Sequence, residues 1–166
     1  MVPERVSRVL AAHGLTAIEF EPGSTATSQL AAEQLSVRVA QIAKSLLFLG
    51  KDGRYCMLLC SGDRKASSAK LKAFLGVKTR MARPDETFAA TGFEPGGVCP
   101  FGIDASIRIL IDGDLAQHAR IYPAAGTSAS GVPMTFDQLV EITGGQVGDF
   151  TMPETAPVAD RPTEEA

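Results

Sequence analysis

Lys44 stands in the run Gln41-Ile42-Ala43-Lys44-Ser45-Leu46-Leu47-Phe48-Leu49, the one charge in a segment that is apolar on both sides of it. A cation held there gives up hydration, a cost that a visiting anion or a developing negative charge offsets. Further along, the loop Thr91-Gly92-Phe93-Glu94-Pro95-Gly96-Gly97-Val98-Cys99-Pro100-Phe101-Gly102 carries tandem glycines. Glycine lets main-chain N–H groups come close to a carbonyl oxygen or phosphate, in the manner of an oxyanion hole or anion nest. Taken singly, each feature has a plain explanation: a lysine that snorkels to a strand edge, and a glycine-proline turn. Together they outline a pocket for an anion or a polarised carbonyl.

Other chemistries are poorly served. His13 and His118 are the only histidines, and HExxH and CxxC are both missing, so local motifs build no zinc site and no metal or cofactor is expected. A Walker A loop, GxGxxG and GxSxG are absent too. A serine or cysteine hydrolase would need one of the two histidines as its base, and His13 sits beside Gly14 at the end of a terminal helix. The three cysteines, Cys56, Cys60 and Cys99, fit reduced thiols in a cytoplasmic protein. Cys99 lies within the glycine loop, but no adjacent histidine activates it, so it reads as a small packed or pocket-lining side chain.

The elements that must position these groups follow from periodicity. Helices are expected over Pro3–Ala12, Ser28–Leu35, Ser67–Leu75, from Pro84 to Gly92, and from a Thr135-Phe136-Asp137-Gln138 capping box to Gly144. Strands are expected at Leu15–Phe20, Gln41–Leu49, Tyr55–Cys60, Val77–Ala82, Ile107–Ile111, His118–Tyr122, Val132–Thr135 and Gln146–Phe150. Gly50-Lys51-Asp52-Gly53 should turn the second strand back on the third, and Asp112-Gly113-Asp114 should make a second strand pair. Mixed helices and strands with hairpins, and no regular βαβ alternation, favour an α+β class.

With 166 residues, 45% of them hydrophobic, the chain has room for one compact domain, taken as residues 1–150. The apolar run at Leu46–Leu49 is far short of a membrane span, and the polar start has no signal-peptide core. Net charge is −3, yet Arg38 to Arg83 carries eleven basic residues against Asp52 and Asp63. That is either a solvated face or a patch for a polyanion. Thr151–Ala166, acidic, with three prolines and no periodicity, reads as a flexible tail.

The order and spacing of several segments resemble the YbaK/EbsC family, free-standing relatives of the editing domain inserted in bacterial prolyl-tRNA synthetases. The segments are Thr27–Leu35, Gln41–Phe48, Ser61-Gly62-Asp63-Arg64-Lys65, Thr91-Gly92-Phe93, Gly96–Gly102, Ile109–Asp112, Ala124-Ala125-Gly126-Thr127 and Phe136–Thr143. The resemblance covers roughly residues 5 to 150. It implies a mixed, strongly twisted sheet flanked by helices and the hydrolysis of small amino acids wrongly attached to tRNA, most often the tRNA for proline. By similarity Lys44 matches the signature lysine, and Gly96 and Pro100 the GxxxP loop. Ser45, Gly97, Val98, Cys99 and Gly126-Thr127-Ser128 fall near the aminoacyl pocket. Phe20 stands where some relatives carry an aromatic hydroxyl, so their substrate choice does not transfer. Arg64, Lys65, Lys70 and Lys72 would supply acceptor-stem contacts, and a synthetase is a further possible partner. An aminoacyl ester is already activated, so Lys44 would act by position and charge on a water reaction without a protein nucleophile. The competing reading keeps the scaffold as a non-catalytic module that holds an aminoacyl-tRNA or a synthetase; a metabolite-binding regulator is a third.

Overall fold

The computed structural model describes residues 1–154. Helix α1 (Glu4–Ala12) starts after Pro3 and buries Val6 and Leu10 one turn apart. A short strand β1 (Ile18–Glu19) leads to α2 (Ser28–Leu35), whose first turn is capped by Thr27, its hydroxyl accepting the Leu30 N–H at 3.1 Å. A 3-10 turn over Val39–Gln41 feeds β2 (Ala43–Gly50), and a tight turn through Gly53 returns the chain as β3 (Tyr55–Ser61). Then come β4 (Arg64–Ala66), α3 (Ser68–Leu75), β5 (Thr79–Met81), α4 (Pro84–Thr91) and β6 (Arg108–Asp112). The described chain closes with β7 (Ser130–Gly131), α5 (Phe136–Thr143), β8 (Gln146–Gly148) and β9 (Thr151–Pro153). The capping box at α5 forms as its residues predict: Gln138 N–H donates to Thr135 Oγ1 at 3.1 Å and Thr135 N–H to Gln138 Oε1 at 2.8 Å.

The main sheet runs β5-β2-β3-β6-β8, antiparallel on one side and parallel on the other. Two faces follow from strand alternation. Ala43, Leu47, Met57, Leu59 and Ile111 join α1 and Leu139 of α5 in the larger core, while Phe48, Leu58, Cys60 and Leu110 pack against Leu71 of α3 and Phe150. Among the described residues no helix is long and apolar enough to cross a membrane.

Three expectations need correction. Ile107–Ile111 and His118–Tyr122 do not form a hairpin: β6 pairs parallel with β3 and β8, and Gly113–Gln117 is a 3-10 turn capped by Asp112. The His118–Tyr122 segment instead makes single bridges, Tyr122 to Ile42 and Ile121 to Met134. The late strand is Ser130–Gly131, paired with β1, rather than Val132–Thr135. Thr151–Pro153, read as the start of a tail, instead form β9, which pairs antiparallel with β4. Buried Asp112 anchors that segment, its Oδ1 accepting the Phe150 N–H at 2.8 Å and its Oδ2 the Thr151 hydroxyl at 2.9 Å. Such bonds to a carboxylate are among the stronger ones available. The rest of the expected tail lies outside the described residues.

Candidate active site

The five-stranded sheet leaves one stretch of β2 open. Strand β5 pairs only with Phe48–Gly50, and beyond it Ala82 N–H reaches Leu47 O at 2.9 Å. At the other end Ala43 N–H donates to Tyr122 O at 3.2 Å. Ser45 lies between these two anchors. Antiparallel alternation turns its main-chain N–H and C=O, like those of Ala43 and Leu47, away from β3 and toward this gap.

A pocket of about 260 Å³ opens along the gap. Its walls come from the loop before α2 and that helix's first turn (Thr25, Ala26, Thr27, Ser28), from Ile42–Leu46, from Gly96 and Val98, and from Tyr122, Ala124 and Ser130. The lysine and the glycine loop, distant in the chain, thus line one cavity. Lys44 is half-buried, on the face shared with Leu46 and Phe48. Its Nζ makes one long bond, 3.5 Å to Gly62 O, and it enters no ion pair among the described residues. Cys60 sits opposite it on β3. Burial pushes the Cys60 thiol up to about 12, even though the nearby Lys44 charge pulls the other way. That thiol is a packing group.

Ser45 also lines the pocket, and its hydroxyl oxygen is buried without a hydrogen-bond partner. An unmade buried bond is unfavourable, by about 1–3 kcal/mol. Removing the hydroxyl as Ser45→Ala is therefore expected to leave thermal stability unchanged or slightly higher while kcat/KM for an ester bound in the pocket falls. A calorimetric melt beside steady-state kinetics checks this, and a marked loss of stability with unaltered kinetics would assign the hydroxyl a structural task.

Gly96 adopts φ +87°, and a Cβ there would lie 2.9 Å from Ala26 O. The loop therefore touches the segment before α2 main chain to main chain. Gly97 faces elsewhere: a Cβ on it would lie 2.7 Å from Thr127 Cα, so it packs the loop against the Gly126–Ser128 turn. That turn does not line the pocket but braces a residue that does. Thr127 Oγ1 lies 3.0 Å from Ser130 Oγ, and Ser128 O accepts the Thr25 N–H at 2.7 Å. Gly126 itself abuts Phe93 and Pro3. Phe20 is also off the lining, its N–H paired with Ala129 O at 2.8 Å.

Cys99 and Pro100 are buried beneath the loop. The Cys99 thiol belongs to the larger core, is fully buried, and is pushed up to about 12 by that burial. At neutral pH it is protonated and out of reach. Cys99→Ser is expected to keep most of the wild-type rate, and the native thiol to resist iodoacetamide; rapid labelling with loss of activity would restore Cys99 as a candidate nucleophile.

Of the basic residues expected to meet nucleic acid, two are engaged within the fold. Arg64 Nε donates to Thr151 Oγ1 at 2.7 Å and lies 3.9 Å from Asp114, while Lys70 Nζ donates to Asp149 Oδ1 at 2.8 Å and Thr151 O at 2.7 Å. Both fasten β9. Lys65 and Lys72 are exposed and outside any ion pair among the described residues. The sequence reasoning missed Thr25, Ala26, Tyr122, Ala124 and Ser130. Ala124 falls within a segment that carries the resemblance, but no local motif marks the other four, since they become neighbours only when β1 pairs with β7 and Tyr122 bridges Ile42. Among the described residues no group of three or more His, Cys, Asp or Glu is placed to hold a metal ion.

Comparison with known proteins bears on the same region. A family model described as the aminoacyl-tRNA editing domain matches residues 22–142. An uncharacterized protein of Bacillus subtilis (strain 168), YwhH, is 36% identical over 129 residues, which are 78% of this chain and 82% of that protein. A proline–tRNA ligase of Thermosipho africanus is 40% identical over 87 residues; the match takes in 52% of this chain but only 15% of the ligase. A crystal structure described as "a putative trans-editing enzyme for prolyl tRNA synthetase" superposes with a TM-score of 0.82 at 34% identity, covering 90% of this chain and 96% of that one.

Proposed function

The chain belongs to the aminoacyl-tRNA editing domain family, and from that premise we propose that it is a cytoplasmic trans-editing deacylase, removing a small, wrongly attached amino acid from a tRNA, that for proline first. The observation that carries this reading is the convergence of Lys44, the unpartnered Ser45 hydroxyl and Gly96 on one pocket. The cavity measures about 260 Å³ and is walled largely by apolar side chains, among them Ala31, Leu35, Ile42 and Val98, which favours a small side chain.

In the proposed reaction a water oxygen bonds to the ester carbonyl carbon. The carbonyl becomes an oxyanion, and its collapse breaks the bond to the ribose oxygen, which leaves with a proton. The free amino acid and the tRNA hydroxyl are the products. An ammonium group has donors and no acceptor, so Lys44 in its charged form stabilises negative charge and orients the ester and is not the base. Ser45, through its hydroxyl and its outward main-chain N–H, fixes the acyl end in the gap of β2. Gly96 keeps the facing wall close. No metal is invoked.

Deacylation of a panel of tRNAs, proline tRNA included, charged with Ala, Cys, Ser, Thr or Pro tests the proposal. Turnover of one or two small esters with prolyl-tRNA spared is the expected result. Rates equal to buffer across the panel, with tRNA still bound, would make the chain a holding module.

A further inference from the structure

Resting on the reading of an aminoacyl-tRNA as substrate, we infer that Arg38 and Arg120 are the phosphate grip beside the pocket, holding the sugar–phosphate backbone that leads to the ester. The two arginines come from segments far apart in sequence, and Gln41 ties those segments together. Its Oε1 accepts the Arg38 N–H at 3.1 Å, its Nε2 donates to Arg120 O at 3.3 Å, and its own carbonyl accepts the Tyr122 N–H at 2.9 Å. Both segments then run directly into the pocket wall, one at Ile42 and Ala43, the other at Tyr122. Arg120 and Tyr122 are two positions apart with Ile121 between them, a span of at most about 7 Å.

Both arginines are exposed, and neither enters an ion pair among the described residues. In contrast, Arg64, Lys70, Arg80 and Arg83 each face a carboxylate. A guanidinium without an acid presents a planar fork that matches a phosphate.

His118 gives the independent observation. Only 8% exposed, it places Nδ1 3.4 Å from the Arg38 guanidinium. Arginine only donates, so Nδ1 must accept, which puts the imidazole proton on Nε2. That Nε2 is buried with no partner. A ring kept at such a cost, with its one satisfied nitrogen directed at Arg38, acts as a positioning residue for that guanidinium. An ester bound in the pocket requires the nucleotides before it to leave across a rim, and this rim offers two cations, Arg38 with its guanidinium against His118 and Arg120 with its main chain tied by Gln41.

The test is anisotropy titration of a fluorescent, uncharged acceptor-stem minihelix with wild type, Arg38→Ala, Arg120→Ala, the double variant and Arg54→Ala. Arg54 lies in the β2–β3 turn, at the far end of that ladder from Lys44. Each rim substitution should weaken binding roughly 5- to 10-fold and lower the slope of log K against log salt by about one, whereas Arg54→Ala should do neither. The double variant should still hydrolyse a 3′-aminoacyl-adenosine, which lacks the flanking phosphates, at the wild-type rate. Unchanged affinity and salt slope in the double variant would overturn the inference, as would loss of adenosine-ester hydrolysis together with a lowered melting temperature. Loss of synthetase binding with minihelix affinity intact would also overturn it, making the rim a protein contact. If wild type hydrolyses neither ester yet the double variant loses minihelix affinity, the deacylase reading falls and the phosphate grip stands.

Discussion

Lys44→Ala is expected to lower kcat for the edited aminoacyl-tRNA by roughly 100-fold or more, the loss seen when one preorganised donor to a developing oxyanion is removed. The fold should survive the change. The Lys44 ammonium contributes one 3.5 Å bond to Gly62 O and no ion pair among the described residues, so its loss should alter stability by no more than about 1 kcal/mol. Single-turnover deacylation beside a denaturant melt separates the two quantities. A variant with wild-type kcat would remove Lys44 from the mechanism, and a variant that unfolds would show the lysine to be holding β2 to the Gly62 turn.

Gly96→Ala should cost both stability and activity. At φ +87° an L-residue is strained by about 1–2 kcal/mol, and the new methyl carbon would press on Ala26 at 2.9 Å from its oxygen and 3.0 Å from its Cα. These are main-chain atoms that cannot rotate aside. The segment that caps α2 must move outward, and with it one wall of the pocket, so kcat/KM should drop by about tenfold or more, since small displacements of positioning groups have effects of that order. Gly76→Ala supplies the comparison: φ is +75°, but nothing lies within 4 Å of the added carbon. It should show a similar strain and wild-type kinetics. Equal kinetics for the two variants would mean that the glycine loop does not bound the site.

Much of the local structure was legible from residue types. The span of α2 agrees with its reading, and α1, α3, α4 and α5 begin and end near their expected limits, because proline starts, hydroxyl caps and glycine stops act within a turn or two. The β2–β3 pair was equally plain, since the Asp-Gly turn and the two apolar runs determine it together. The pairing of β6 was not. A short hairpin and a pair of parallel crossovers satisfy the same alternation of Ile107–Ile111, and the choice rests on contacts with β3 and β8 that have no local signature. Likewise β9 looked like tail because its anchor, Asp112, is remote in sequence.

The candidate site divides along the same line. The candidate chemistry was legible in the sequence itself: a lysine among apolar neighbours and a tandem glycine loop are unusual as residue types, wherever the chain later puts them. Only the tertiary structure decided which neighbours share the cavity. Cys99, inside the motif, went into the core, Pro100 is buried away from the pocket, and Arg64 and Lys70, inside the basic segment, went to fasten β9. Ser130, Tyr122 and Arg120 came to the pocket or its rim from an unremarkable stretch. The physical reason is that burial and hydrogen-bond partnership are properties of contacts between distant segments, whereas charge, side-chain volume and backbone freedom belong to the residue alone.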